Sequence, residues 1–247
     1  MLKADLHVHS AASYDAKHPL SALAQEAARR GLDAIAVCDH DCSTPAAGET
    51  GVLLIPGTEI TTSTVHLLGL FLERPVDHAA LGEYPDAARA AEEIHRCGGV
   101  AVLAHPFAPE KLPEDALRAL RVDAVECANA RAMHVPQANA RARALAARMG
   151  LPETGGSDAH HKRELGGCCT YFFCEERTLP ALRRALLEGK TQAAELRACP
   201  WRYKGLSLRR RARSLRQPKL IAQADVYLLA GLLRDAAQAL RGQKGKK

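Results

Sequence analysis

Apolar runs of strand length recur along this chain and end, one after another, on histidine or a carboxylate. Residues 2–8 carry His7-Val8-His9, residues 33–38 precede Asp39-His40-Asp41, and residues 52–55 lead into Gly57-Thr58-Glu59. Residues 65–71 contain His66, residues 100–104 precede His105-Pro106, residues 124–127 hold Glu126, and residues 154–157 precede Asp158-Ala159-His160. Helical patterns separate the runs. Residues 20–30 place Leu20, Leu23, Ala24 and Ala27 on one face, and residues 85–97, 134–149 and 179–187 each stop at glycine. Strand–helix alternation of this kind predicts βαβ units and a mostly parallel sheet or barrel. In such a barrel the chemistry sits at the C-terminal strand ends, where His7, His40, His105, Glu126 and Asp158 fall.

One short segment cannot surround a cation, so imidazoles and carboxylates on successive strand ends are what a multinuclear metal centre requires. His7 and His9 share one side of a strand because side chains alternate with period two, and Asp158-x-His160 repeats the spacing. Each piece also has an ordinary reading: Asp39 and Asp41 as helix caps, Glu59 as an exposed carboxylate, His105 as a loop histidine. Their joint occurrence on consecutive strands favours the metal site. His134 and His161 adjoin these segments as candidate substrate contacts, beside the plainer reading as solvated histidines. Arg131, in Asn129-Ala130-Arg131, offers a planar fork that matches phosphate. No Ser/His/Asp nucleophile layout, phosphate-binding glycine loop or dinucleotide fingerprint is present.

Composition bounds the rest. Hydrophobic residues at 47% and charged residues at 25% describe a globular chain, and no apolar run reaches membrane-spanning length. The first residues lack a signal-peptide layout and none of the eight cysteines forms a Cys-x-x-Cys pair, so reduced thiols and a cytoplasmic location are expected. The net charge of +6 conceals a division: residues 201–247 hold 13 Lys/Arg against 2 Asp/Glu, while residues 1–200 hold 21 against 26. The tail also carries a stripe of Leu220, Ala224, Leu228, Leu232, Ala236 and Leu240 at helical spacing, expected to pack on the main body.

The segments Asp5-Leu6-His7-Val8-His9-Ser10, Cys38-Asp39-His40-Asp41, Gly57-Thr58-Glu59-Ile60, Ala104-His105-Pro106 and Gly156-Ser157-Asp158-Ala159-His160 resemble, in order, the motifs of the PHP (polymerase and histidinol phosphatase) superfamily, over about residues 1–195. The resemblance implies an α/β fold, a distorted (β/α)7 barrel over residues 1–195; outside it, composition and periodicity mark a basic helical C-terminal extension over residues 196–247. It implies two or three divalent cations of manganese, iron or zinc. One would be held by His7, His9, Glu59 and Asp158, a second by Glu59, His66 and His105, and a third by Asp15, His40 and His160.

The expected function is that of the compact phosphoesterases: hydrolysis of a phosphomonoester, either a nucleotide or a small phosphorylated metabolite, by a metal-activated hydroxide. Glu59 would fix the metal spacing, Arg131 would neutralise the transferring group, His161 or His134 would aid the leaving oxygen, and Asp39 would orient a ligand. A second reading is a nuclease acting on RNA or DNA ends, with the basic tail holding nucleic acid. A third is a non-catalytic metal-binding interaction module. No membrane contact is expected, and the sequence is silent on oligomeric state.

Overall fold

The computed structural model describes residues 1–44, 51–108, 112–216 and 218–244, with the side chains of 218, 235 and 238–244 outside that description. Among the described residues, nine strands form one sheet: β1 (Leu2–Val8), β2 (Ala34–Val37), β3 (Leu53–Thr61), β4 (His66–Leu70), β5 (Val100–Ala104), β6 (Ala124–Asn129), β7 (Glu153–Gly156), β8 (Cys168–Phe172) and β9 (Thr191–Glu195). Their order is β7-β6-β5-β4-β3-β2-β1-β8-β9. The sheet curls until β7 lies beside β1 and β8. Thr170 Oγ1 bonds the Gly155 backbone at 2.8 and 3.0 Å, and His9 N donates to Ala159 O at 2.9 Å. The result is a nearly closed barrel.

The sheet is less parallel than the sequence pattern predicts. Pairs β1–β2, β2–β3, β5–β6 and β6–β7 are parallel, whereas β4 runs against both neighbours and β8 against β1 and β9. β4 returns directly from β3 through a short turn, which can only make an antiparallel neighbour. β9, with the polar sequence TQAAE, lacks an apolar run and is held at the sheet edge by its ladder to β8.

Side-chain alternation divides the core. Leu68, Leu70, Val100, Val102 and Ala124 join Ala4, Leu6, Ala36 and Phe172 inside the barrel, closed below by Leu182 and Leu186 of α6 (Leu179–Leu187). The intervening Leu67, Ala101, Leu103 and Val125 face outward against α3 (Ala87–Arg96) and α5 (Ala138–Met149). On the other flank, α1 (Leu20–Arg29) sets Leu23, Ala24 and Ala27 against Ile35 and Leu54. α2 (His78–Leu81) and α4 (Glu114–Arg118) are short connectors. All eight cysteines are unpaired.

The chain after β9 folds as a helical hairpin, α7 (Trp201–Ser214) and α8 (Pro218–Lys244). The α8 stripe packs on α7 rather than on the barrel. A Cβ at Gly205 would lie 2.8 Å from Leu228 Cγ and 3.0 Å from Ala224 O, so glycine there admits the close approach. Ala224 is buried and Leu220 and Leu228 half-buried, but Leu232 and Ala236 are exposed; Leu240 lies outside the described side chains. Periodicity identified the apolar face but could not say which element would cover it. No described helix is long and apolar enough to cross a membrane.

Gly156, at the end of β7, meets β1 where the barrel closes. A Cβ there would lie 2.6 Å from the backbone nitrogen of His7, and backbone cannot yield as a flexible side chain can. Gly156→Ala is expected to cost about 1–3 kcal/mol by overpacking and to weaken metal retention, both read from chemical unfolding and metal analysis of one preparation. Wild-type stability would refute this close approach.

Candidate metal centre

The strand ends bring nine side chains together. His7 and His9 leave β1 on one side, with ring centroids 5.0 Å apart. His40 follows β2 and is bridged to Glu59 of β3, Asp41 N donating to Glu59 O at 2.8 Å and Glu59 N to Asp39 O at 3.0 Å. His66 opens β4 opposite Ala104, and His105 follows β5 directly. Asp158 and His160 follow β7, and Asp15 comes from the loop after β1. Asp41, His105 and Asp158 hold left-handed φ angles of 48°, 27° and 54°. Such conformations cost about 1–3 kcal/mol each in non-glycine residues and persist where the surroundings impose them, often at functional sites.

Glu59 stands in the middle. Its Oε1 lies 2.8 Å from His66 Nδ1 and 3.1 Å from His105 Nε2. Its Oε2 lies 2.9 Å from His40 Nδ1 and 3.4 Å from both His7 Nε2 and His9 Nε2. Asp158 Oδ1 is 3.3 Å from His9 Nε2 and 3.9 Å from His7 Nε2, and Asp15 Oδ2 is 3.2 Å from His160 Nε2 and 3.5 Å from His40 Nε2. Donors at about 2.0–2.1 Å from a tetrahedral zinc-type ion stand roughly 3.3 Å apart, so the 3.1–3.5 Å spacings suit shared cations, while Glu59 meets His66 and His40 more closely, at 2.8 and 2.9 Å. Among the described residues, four triads bring ligand atoms within 4.8 Å of one another: His9/His40/His160, His7/His9/Glu59, His7/His105/Asp158 and Glu59/His66/His105.

Hydrogen bonding supports the fit. His7 Nε2, His9 Nε2, His40 Nδ1, Asp15 Oδ1 and Glu59 Oε2 are buried without a hydrogen-bond partner, an expensive arrangement unless a cation takes their lone pairs. The Nδ1 atoms of His7, His9 and His160 are occupied. A carboxylate can only accept, so Ser13 Oγ must donate its single proton to Asp39 Oδ1 (2.8 Å) and accept from His9 Nδ1 (3.1 Å). His7 Nδ1 donates to Glu126 Oε1 (3.0 Å), and His160 Nδ1 to Asp158 O (2.9 Å). Each bond fixes the tautomer that leaves Nε2 bare toward the centre. Burial opposes ionisation of Asp15, Glu59 and Asp158, but the surrounding imidazoles outweigh it and hold all three below the usual carboxylate range. Burial, with His160 and His40 close by, pushes His9 down to about 3, leaving it neutral as a ligand must be.

Glu126 and Ser13 carry much of this orientation. Glu126 also accepts from His105 N at 2.9 Å and Asn129 Nδ2 at 3.1 Å, tying the ends of β1, β5 and β6 together. A buried carboxylate inside an apolar run was its visible signal; Ser13 gave none. Ser13→Ala frees His9 to take the wrong tautomer, and metal affinity is expected to fall about 10–100-fold in a chelator-competition titration. Unchanged affinity would remove Ser13 from this role.

The cluster floors a cavity of about 460 Å³ whose wall includes Asn129, Arg131 and, from the C-terminal hairpin, Lys204, Ser207, Leu208, Arg211, Gln223 and Tyr227. The hairpin residues were not foreseen as cavity lining, because an apolar stripe says that a helix packs and not which of its polar residues face a site. Arg131 is in place but heavily engaged: Nε donates to Asp158 O (2.7 Å), Nη1 to Ser207 Oγ (2.8 Å) and Nη2 to Glu164 Oε1 (2.8 Å).

The other three sequence candidates lie outside the cavity lining. Asp39 is fully buried, accepting from Ser10, Ser13 and Thr44, and it reaches His9 only through Ser13. His134 donates from Nε2 to Cys199 O (2.6 Å) and packs on Trp201, while His161 stacks on Tyr203 at 4.4 Å. Both histidines seat the hairpin. Burial and the neighbouring His18, Arg163, Lys17 and Arg210 push His161 down to about 4, which suits packing rather than proton donation at neutral pH.

Residues 5–94 match the family described as PHP domain, and residues 136–191 match the family described as PHP-associated. An uncharacterized protein of Methanocaldococcus jannaschii is 30% identical over 146 residues, covering 52% of this chain and 82% of the relative. A 5'-3' exoribonuclease of Haemophilus influenzae is 37% identical over 82 residues, 29% of this chain and 30% of the relative. Among solved structures, a two-domain protein from Bacteroides vulgatus containing a predicted PHP-like metal-dependent phosphoesterase superposes with a TM-score of 0.62 at 25% identity. That match covers 79% of this chain and 65% of the other, so this chain spans just under two thirds of that protein.

Proposed function

The chain belongs to the PHP family of metal-dependent phosphoesterases, and on that footing we propose that it hydrolyses a phosphomonoester at two or three divalent cations. The observation that carries this reading is the Glu59-centred cluster, whose orphaned buried lone pairs open into a cavity walled by Arg131. His7, His9, Glu59 and Asp158 would hold one cation, Glu59, His66 and His105 a second, and Asp15, His40 and His160 a third. Mixed imidazole and carboxylate ligation suits manganese, iron or zinc. Bound there, the cations supply Lewis acidity toward phosphoryl oxygens and lower the pKa of water.

The chain's own groups do the rest. Glu59 fixes the spacing between the halves of the cluster. Arg131 places positive charge beside the transferring group while its other donors hold Asp158 and Glu164. Asp39, through Ser13, keeps His9 in its ligating tautomer. Eight unpaired cysteines fit a reducing compartment, and we place the protein in the cytosol. The test is metal analysis followed by a screen of phosphomonoesters on protein stripped and reloaded with manganese, iron or zinc. Fewer than two equivalents bound, with no turnover under any metal, would favour a non-catalytic binding module.

A nuclease is the second reading, favoured by one observation: Lys17, Lys162, Arg163 and Arg210 surround His18 and His161 at the seat of the hairpin. Tail deletion cannot isolate this reading, because the hairpin is a wall of the cavity. Salt can. Raising it from about 50 to about 200 mM should weaken oligonucleotide binding through four or five phosphate contacts by about 10²-fold or more, and leave turnover of a small phosphomonoester nearly level.

A further inference from the structure

Residues 201–244 lie outside both family matches, yet they supply one wall of the cavity. Lys204, Ser207, Leu208 and Arg211 follow the spacing of a single face of α7, and all four line the same space as Asp15, His40, Asp158 and His160. Ser207 anchors this face, accepting from Arg131 Nη1, while Arg131 Nε binds the carbonyl of Asp158. Lys204 and Arg211 therefore stand on either side of a fixed point above a metal-cluster residue, about 10 Å apart along the helix at 1.5 Å per residue.

Neither cation has an acidic partner among the described residues, in contrast to Arg209 on the same helix, which pairs with Asp225 at 3.7 Å. The Lys204 ammonium is half-buried and lies 5.8 Å from the Trp201 ring centre and 5.7 Å from that of Tyr227, contacts that position it without neutralising it. Burial, with Arg131 nearby, pushes it below the usual lysine range. A desolvated charge without a partner is costly and is retained where something else supplies the opposite charge. The cluster cannot supply it. Two divalent cations would take up the charge of Asp15, Glu59, Asp158 and the adjoining Glu126 between them, leaving none of it for α7.

We propose that Lys204 and Arg211 form a second anion-binding subsite facing the metal cluster, so that the preferred ligand carries a phosphoryl group for the metals and a further anionic group, phosphate or carboxylate, for α7. Leu208 and Tyr227 give the wall between them an apolar surface suited to an uncharged spacer. This rests on the phosphoesterase reading for the first group only, since the second is read from the hairpin.

The test is calorimetric binding of non-hydrolysable ligands to the full-length, manganese-loaded protein. Alkane-α,ω-bisphosphonates and ω-carboxyalkylphosphonates of three to six carbons are compared with alkylphosphonates of the same length. The dianionic ligands are expected to bind at least tenfold tighter at the best-fitting length, and Lys204→Met and Arg211→Met to reduce that ratio to below threefold. Lys204→Arg should keep most of it, which separates lost charge from a disturbed helix.

Equal affinity for the two ligand classes, or a ratio that survives in the double Met variant because the second anion goes to the metals, overturns the subsite. A preference for bisphosphonates and not for carboxylates makes the second group a phosphate. If no phosphomonoester is turned over but the ratio and its loss in the variants are seen, the hydrolase reading fails and the subsite stands. Turnover without the ratio has the opposite meaning.

Discussion

Glu59→Gln is expected to abolish both halves of the cluster at once. The substitution keeps the shape of the side chain and removes the one charge that five imidazoles surround at 2.8–3.4 Å. Its amide would turn a donor toward ring nitrogens or cations that need a lone pair. Metal content should fall by at least one equivalent per chain. Turnover should fall about 10³-fold or more, since cation stabilisation of the transition state is worth several kcal/mol and each 1.36 kcal/mol is tenfold in rate. Elemental analysis and steady-state kinetics on the same preparation check it, with circular dichroism to establish the fold. A variant that retains full metal and full activity would sink the bridging role of Glu59.

The second large effect is on stability. Arg131→Leu should lower the free energy of unfolding by about 3–5 kcal/mol, the usual cost of leaving one partner of a buried ion pair alone. Glu164 is the partner left behind. Its side chain is fully buried and receives Arg131 Nη2 at 2.8 Å, His160 N at 2.9 Å and the Cys199 thiol at 2.7 Å. Lysine is a poor substitute because it lacks the fork that reaches Glu164, Ser207 and Asp158 together. Adding Glu164→Gln to the Leu variant should recover much of the loss, and a double-mutant cycle in urea measures the coupling. Additive effects would show that Glu164 does not depend on Arg131.

The strands around the site were legible because each is buried on both faces and reads as a continuous apolar run, with the polar residue marking where it ends. His7, His40, Glu59 and His105 are visible for that reason. What joins them is not local. Glu126 orients His7 from 119 residues away, and no spacing rule connects the two. The basic tail misled because counting charge says nothing about where a helix docks: Arg209 is spent on Asp225, and Lys204 turns inward. His134 and His161 misled through adjacency, since one residue past Asp158-x-His160 the chain has already turned to Tyr203. Asp39, read from its place beside His40 as orienting a ligand, reaches His9 only through Ser13, its carboxylate being taken up by hydroxyls and backbone.

Arg131 holds the carbonyl of Asp158 with one nitrogen and the hairpin with another. Events at the metal floor and at the α7 wall therefore share a mechanical joint, and thermodynamic reciprocity applies to it. If a ligand that tightens the hairpin against Arg131 changes cation affinity by some factor, cation loading must change affinity for that ligand by the same factor. Metal titrations run with and without a bound anion should form a closed cycle, and the size of its coupling free energy reports how stiff that single guanidinium joint is.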